Sequence, residues 1–343
     1  MNEMIQLPII EEPWIQTYQI RNFELGVLQD KVPWIYGKYI NCCCKKKSFT
    51  HCIGAHGRFF TKENAMLMQK FKFDKSIFEE GLVNFIEFAK DILNHQWYLM
   101  GDFDEYYIKD KEAYNRYHFR HWAFIYGYNE IEKIFYSIGY TKGGKYRKYS
   151  MSYDEFLKAI NVTFSNEKEL YVKKNIDRIE FYAVKINPDY RFDFNLCDVY
   201  IGIRDYLHST DSYENDMEKK YGIECEKKYA EYILNFNDTS GEVDIRFSRL
   251  FMELKNIMVR RLKYLVDIGI VSSDLLYRYE AISKNQETVH MLCIKYNITH
   301  DSILLSKIAN IIKDIINMEQ DVLSQINNQI YKTLKNNWEA RYC

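Results

Sequence analysis

The most constraining stretch of this chain is residues 117–140, YHFRHWAFIYGYNEIEKIFYSIGY. From His121 it alternates large and small residues up to a turn at Asn129-Glu130, and a second alternating run covers 131–138. Period-two alternation on both sides of a turn residue predicts a β-hairpin. Its first strand opens on a histidine, and nowhere else in the chain does a titratable group stand in so defined a place.

The remaining pattern divides the chain in two. In the first part, 97–103 (WYLMGDF) and 179–186 (IEFYAVKI) read as strands, the second ended by Asn187-Pro188. Apolar residues at helical spacing predict helices over 17–28, with Thr17 as N-cap, and over 71–94. Ser152 followed by Glu155 has the spacing of a capping box and predicts a helix running to Ile160. Residues 48–60, with Gly54 and Gly57, and the basic, Gly-rich 141–149 read as loops. From about Asp189 the character changes. Helical periodicity marks 199–207, 217–236, 245–268, 274–296 and 301–334, with Ser273 and Thr299 as N-caps of the last two. The expectation is an α+β domain with a central antiparallel sheet over 1–188, followed by a helical domain over 189–343.

Composition limits the function classes. The 343 residues are 47% hydrophobic, enough for two cores, so wholesale disorder is excluded. A net charge of -1 argues against a dedicated nucleic-acid binder, which carries a strong basic excess. No apolar run approaches the roughly 18 residues that span a bilayer. The start, MNEMIQLPIIEEPW, has acidic residues where a signal peptide needs a basic and then an apolar region. A cytoplasmic location without membrane partners is therefore expected, with reduced cysteines.

Several residues carry candidate chemistry. A rigidly held imidazole can serve as general base beside a nucleophile at a helix N-terminus, and His121 fits that position. Its bland alternative is a core histidine satisfied by a carbonyl. His118 and Arg120, at odd spacing from His121, should face the other side of the strand. Asp102 and Asp104 should share one side, with Glu105 next to them, and strand-end solvated charges are the simplest account of all three. Cys42, Cys43, Cys44 and Cys52 with His51 and His56 lack the paired ligand spacing of a structural zinc site, so no metal is expected. One of these cysteines could still be a nucleophile, its thiolate favoured by Lys45–Lys47. The run TKGGKYRK could hold a phosphate, but it lacks the P-loop and dinucleotide spacings and reads as a solvated turn.

These residues also carry a resemblance. DEYYIKDKEAYNRYHFRHWAFIYGYNEIEKIFYSIGY, GKYRKYSMSYDEF and the upstream PWIYGKYI resemble proteins related to the N-terminal domain of butirosin biosynthesis protein H. That group is similar in fold to C39-like, papain-like cysteine peptidases and accompanies nonribosomal-peptide and other natural-product gene clusters. The resemblance covers about the first half of the chain. It implies a Cys–His–Asp/Asn site that moves an acyl group from a carrier-protein thioester to an amine, with no cofactor. His121 matches the strand-initial histidine and Gln16 the oxyanion glutamine. No cysteine stands at the start of the first helix, and Ser137-Ile138-Gly139 stands where the family has aspartate or asparagine. The nucleophile is thus unassigned. Three expectations follow: an accessory protein that binds an acyl or peptidyl carrier intermediate and transfers it to an amine, a non-catalytic binding module (a pseudoenzyme), or a cysteine peptidase.

Overall fold

A computed structural model describes residues 3–45, 52–55, 67–74, 84–160, 180–212, 216–236 and 241–342. The chain forms two compact units, Met1–Gln29 with Arg58–Arg191, and Asp30–Gly57 with Phe192–Cys343. The division therefore differs from a single cut at 188/189, because Asp30–Gly57 groups with the C-terminal helices.

The first unit is mixed α+β. It is built on β1 (Met4–Gln6), β4 (Met68–Asp74), β5 (Tyr98–Asp104), β6 (Arg120–Asn129), β7 (Ile134–Thr141), β8 (Lys145–Ser152) and β9 (Glu180–Ile186), while β2 (Cys42–Lys45) and β3 (Cys52–Ala55) belong to the second unit. The seven strands make one antiparallel sheet in the order β4-β9-β5-β6-β7-β8, with β1 attached to β6. Helix α1 (Gln19–Leu28) covers one face, where Phe23 stacks on Phe124 at 4.9 Å. Helices α2 (Phe85–Asn94) and α3 (Tyr153–Ile160) cover the other through an aromatic cluster. In it Phe85 meets Phe181 at 4.9 Å, Phe103 meets Phe156 at 5.5 Å and Phe135 meets Phe156 at 4.7 Å. Away from the charged ends at Asp102, Asp104, Arg120 and His121, Tyr98–Gly101 of β5 and Ala123–Tyr128 of β6 are buried on both faces because both faces are covered.

β6 has two neighbours on one edge. β5 pairs with Arg120–Ile125 and β1 continues along Gly127–Asn129. A Cβ at Gly127 would lie 2.2 Å from the Ile5 carbonyl oxygen, so only glycine lets β1 close onto the strand. On its other edge β6 pairs with β7 only from Phe124↔Ile138 to Asn129↔Ile134, across a bulge between Ile125 and Gly127. The hairpin is thus joined at its turn and forked at its open end.

Several local expectations shift. The second hairpin strand begins at Ile134 rather than 131, because the Asn129 side chain accepts the amides of Ile131 and Glu132 and spends them on the turn. The segment expected as helix 71–94 starts as β4, paired with β9 from Met68↔Ile186 to Asp74↔Glu180, and Phe71 and Phe73, two apart and so on one face, stack at 6.3 Å. Helix begins only after Asn84, whose side chain caps Ile86 and Glu87, and 75–83 lie outside the described residues. The stretch read as loop over 141–149 turns at Gly143 and Gly144, at positive φ, and from Lys145 runs into the edge strand β8 (Lys145–Ser152). The Ser152–Glu155 capping box forms as predicted, with reciprocal bonds of 2.7 and 3.1 Å. Thr17 is not the cap of α1: Tyr18 holds that place with no side-chain bond.

Among its described residues the second unit has a three-stranded sheet in the order β10-β2-β3, where β10 is Lys219–Tyr221, and five α-helices. These are α4 (Leu196–His208), α5 (Ile223–Leu234), α6 (Ile245–Asp267), α7 (Ser273–Thr299) and α8 (Ile303–Tyr342). The helix expected over 217–236 is shortened by Gly222 at φ 51, which separates β10 from α5. Thr299 ends α7 instead of capping the next helix, and Asp301 accepts the Ile303 amide there. Fully buried Arg261 on α6 donates to the carbonyls of Tyr36 and Lys38 at 2.5 and 2.6 Å, which holds 34–38 to the helices. Burial brings its guanidinium down to about 9, still a cation at neutral pH. Deeper in the unit, Lys255 sits between Glu226 (2.6 Å) and Glu319 (2.8 Å), and the Tyr206 hydroxyl, with one proton to donate, lies within hydrogen-bond distance of both carboxylates. No helix among the described residues is long and apolar enough to cross a membrane.

Candidate functional site at the fork of the sheet

His121 stands at the fork, in the second position of β6 and opposite Phe103 of β5. Directly opposed residues share a face, so His121 lies on the Phe103 side, away from the face on which α1 meets Phe124. Glu105 follows two residues after Phe103 on that same side. Its amide donates to the Phe119 carbonyl at 2.9 Å, which carries the pairing one step past the end of β5. The Glu105 carboxylate meets His121 Nδ1 at 3.0 Å and the ammonium of Lys111 at 3.2 Å. Among the described residues Glu105 is the hydrogen-bond partner of the imidazole.

The three side chains form a gradient of burial. Lys111 is 1% exposed, Glu105 9% and His121 31%. Burial pushes the Glu105 carboxyl up, but the His121 hydrogen bond and the Lys111 charge outweigh it and hold the carboxyl below its usual range. Burial likewise disfavours the Lys111 charge, while Tyr149 and Glu105 favour it and leave the ammonium above its ordinary value. The Lys111 cation lies 4.6 Å from the Tyr149 ring centre and donates to the Tyr140 carbonyl at 2.7 Å.

The first residue of α1 also reaches the fork, at the backbone of β6. Gln19 Nε2 donates to the Trp122 carbonyl at 2.5 Å, and its buried Oε1 has no hydrogen-bond partner among the described residues. Two side chains, Gln19 and Lys111, thus satisfy carbonyls of β6 (Trp122) and β7 (Tyr140) at the gap where the two strands have separated. Gly139 lies between them. A Cβ there would sit 3.0 Å from Gln19 Nε2 and 3.4 Å from Lys111 Nζ, so the fork is filled to the backbone.

The opposite face carries a second imidazole–carboxylate pair. His118 Nδ1 meets Asp104 at 2.6 Å and its ring stacks on Tyr106 at 4.3 Å. Asp104 is 1% exposed and also accepts the amides of Tyr106 and Phe119, and Arg120 pairs with Asp102 at 3.1 Å. Residues His118, Arg120, Asp102 and Asp104 therefore fall on the side expected of them. The reading of Asp104 and Glu105 as solvated charges is corrected: both are buried and partnered, because the chain between 105 and 119 folds back over the strand end.

Gln16, expected near an oxyanion, precedes α1. Its carbonyl accepts from Asn22 Nδ2 at 3.1 Å and from the Tyr140 hydroxyl. Gln19, one helical turn later, is the glutamine that reaches the fork. The basic turn holds an internal anion, since the Gly143 amide donates to Glu112 at 3.2 Å. Every cysteine of the chain falls outside the residue ranges of the first unit. Cys42–Cys44 form a buried strand, and His51 and His56 lie outside the described residues. No group of three or more metal-ligating side chains occurs among the described residues.

Chemically, Glu105 fixes the imidazole through Nδ1, so that Nε2 of the neutral ring is left as a proton acceptor. A thiol nucleophile within this unit is excluded by its sequence. Glu105, Lys111 and Gln19 were not singled out from sequence as one site, although Glu105 could have been found from its two-residue offset from Phe103 once the β5–β6 register was known. In comparison with known proteins, no family model matches this chain and no curated protein matches it.

Proposed function

We propose that this chain is an accessory protein of natural-product assembly, of the nonribosomal-peptide type, whose sheet unit derives from a papain-like fold and binds a carrier-linked acyl or peptidyl intermediate without forming a cysteine acyl-enzyme. The observation that carries this reading is His121, held by buried Glu105 at the open end of the hairpin in a unit without cysteine. Binding is measured with a fluorescent carrier protein bearing an acyl-phosphopantetheine arm, and intact mass is followed in parallel. The expected result is saturable binding with no acyl adduct on the protein. An adduct, or no binding across several acyl groups, refutes the proposal.

A second reading is favoured by the Glu105–His121 pair itself. With an amine supplied, the amine nitrogen attacks the thioester carbonyl, His121 Nε2 takes the nitrogen's proton, and the carrier thiolate leaves and is protonated. Amide formation that is lost in His121→Ala, with carrier binding retained, selects this reading. Equal rates with and without His121 select the binding module.

A further inference from the structure

The second unit encloses a charged centre that plays no part in the site above. Glu226 on α5, Lys255 on α6 and Glu319 on α8 meet there, none of them more than 3% exposed. They line a small cavity together with Tyr206 of α4, Tyr279 of α7 and the apolar side chains of Ile40, Leu254, Met258 and Leu323. The cavity has room for about one water-sized molecule.

The two carboxylates are solvated unequally by the protein. Glu319 uses both oxygens. Its Oε1 accepts from the Tyr279 hydroxyl, and its Oε2 lies 2.8 Å from Lys255 Nζ and 2.7 Å from the Tyr206 hydroxyl. Glu226 uses one. Its Oε1 lies 2.6 Å from Lys255 Nζ and 2.5 Å from the Tyr206 hydroxyl, for whose single proton it competes with Glu319. Glu226 Oε2 is buried and has no hydrogen-bond partner among the described residues.

Charge is out of balance at the same place, because two carboxylates face one ammonium. Arg261, also on α6, donates to the Tyr36 and Lys38 carbonyls and contacts the Met258 sulfur, with no carboxylate among its partners in the described residues. The other titratable groups around the centre, the phenols of Tyr206 and Tyr279 and the Cys42 thiol, supply no positive charge. A buried carboxylate left without compensation takes up a proton instead.

We propose that this centre holds one proton beyond the lysine's own, on Glu226 Oε2, so that at neutral pH a neutral carboxylic acid on α5 stands beside a single Lys255–Glu319 ion pair between α6 and α8. The proton cancels the surplus charge and leaves Oε1 as an acceptor for Lys255. Burial raises the Glu226 carboxyl and, with the Glu319 charge, prevails over the Lys255 ammonium. Because the folded value lies above the unfolded 4.5, the contribution of this group is complete below 4.5 and is lost as pH rises through the folded value. Glu226 is thus a pH-sensitive element of the helical unit, which weakens in alkali. A proton needs no channel, since it reaches a buried acid during local opening.

The test is infrared spectroscopy of the full chain in deuterated buffer at pH 7, paired with urea denaturation. The expected spectrum contains the carbonyl stretch of a protonated carboxylic acid, and Glu226→Gln removes it. Relative to that variant, the wild-type urea midpoint should fall as pH rises from 5 to 8. No acid band in the wild type, a band that persists in Glu226→Gln, or a relative midpoint that stays flat or rises overturns the proposal. If the variant does not fold, the wild type decides alone after labelling of glutamate carboxyls with carbon-13. One glutamate should keep the chemical shift of a protonated carboxyl at pH 7, and a spectrum in which every glutamate is ionised overturns the proposal.

Discussion

Lys111→Met removes the most buried charge of the fork while keeping its length. The substitution strips Glu105 of a cation at 3.2 Å and leaves the Tyr140 carbonyl without its 2.7 Å donor. Breaking one side of a buried ion pair costs about 3–5 kcal/mol, and the orphaned carbonyl accounts for about 1–3 kcal/mol of such a loss. A destabilisation of about 3–5 kcal/mol at pH 7 is expected, read from urea midpoints at constant slope. The pH dependence gives the sharper test. In the wild type the Glu105 carboxyl is depressed on folding, so its contribution is present above the unfolded carboxylate value of 4.5 and is lost as pH falls through the folded one. Without Lys111, burial pushes that carboxyl back up and the contribution shrinks. The deficit should therefore be largest at pH 7 and smaller near pH 4. Adding Glu105→Gln should recover part of it, since the remaining group is then neutral. A loss below about 1 kcal/mol at pH 7, or one that is equal at pH 4 and pH 7, would refute the coupled arrangement of Lys111, Glu105 and His121.

Two further substitutions test the frame around the site. Gly127→Ala places a methyl against the Ile5 carbonyl, so β1 must detach. Hydrogen exchange should speed up at Leu7, whose amide donates to Tyr126 at 2.7 Å, while the β5–β6 amides stay protected. Unchanged protection at Leu7 would contradict the close approach. In the helical unit, Lys255→Met leaves Glu226 and Glu319 without their shared cation and should cost about 3–5 kcal/mol in chemical denaturation. A variant as stable as the wild type would show that the two carboxylates do not need the lysine.

Much of the secondary structure was legible in the sequence because it follows from local periodicity. The hairpin strand from His121, the strands near 98–104 and 180–186, the capping box at Ser152 and the long helices near 245–267 and 273–299 all rest on residues within a few positions of one another. The errors fall where a local pattern was outvoted by a partner far along the chain. Met68–Asp74 is a strand because β9 pairs with it, and Lys145–Ser152 because β7 does. Asp30–Gly57 groups with the second unit, where Arg261, more than 220 positions away, binds the carbonyls of Tyr36 and Lys38.

The candidate site divides along the same line. The sequence by itself determined that His121 lies at the start of a strand and that His118 and Arg120 face away from it. That the sheet unit has no thiol was decided by the structure, which groups Cys42–Cys44 and Cys52 with the second unit. Only the tertiary structure decided that the imidazole works with Glu105 and Lys111, and that Gln19 rather than Gln16 reaches the fork. The physical reason is register. Alternation states which residues share a face, but which strand lies opposite, and where two strands part, depends on contacts across the whole sheet. A buried carboxylate then takes the partners that the register brings within reach.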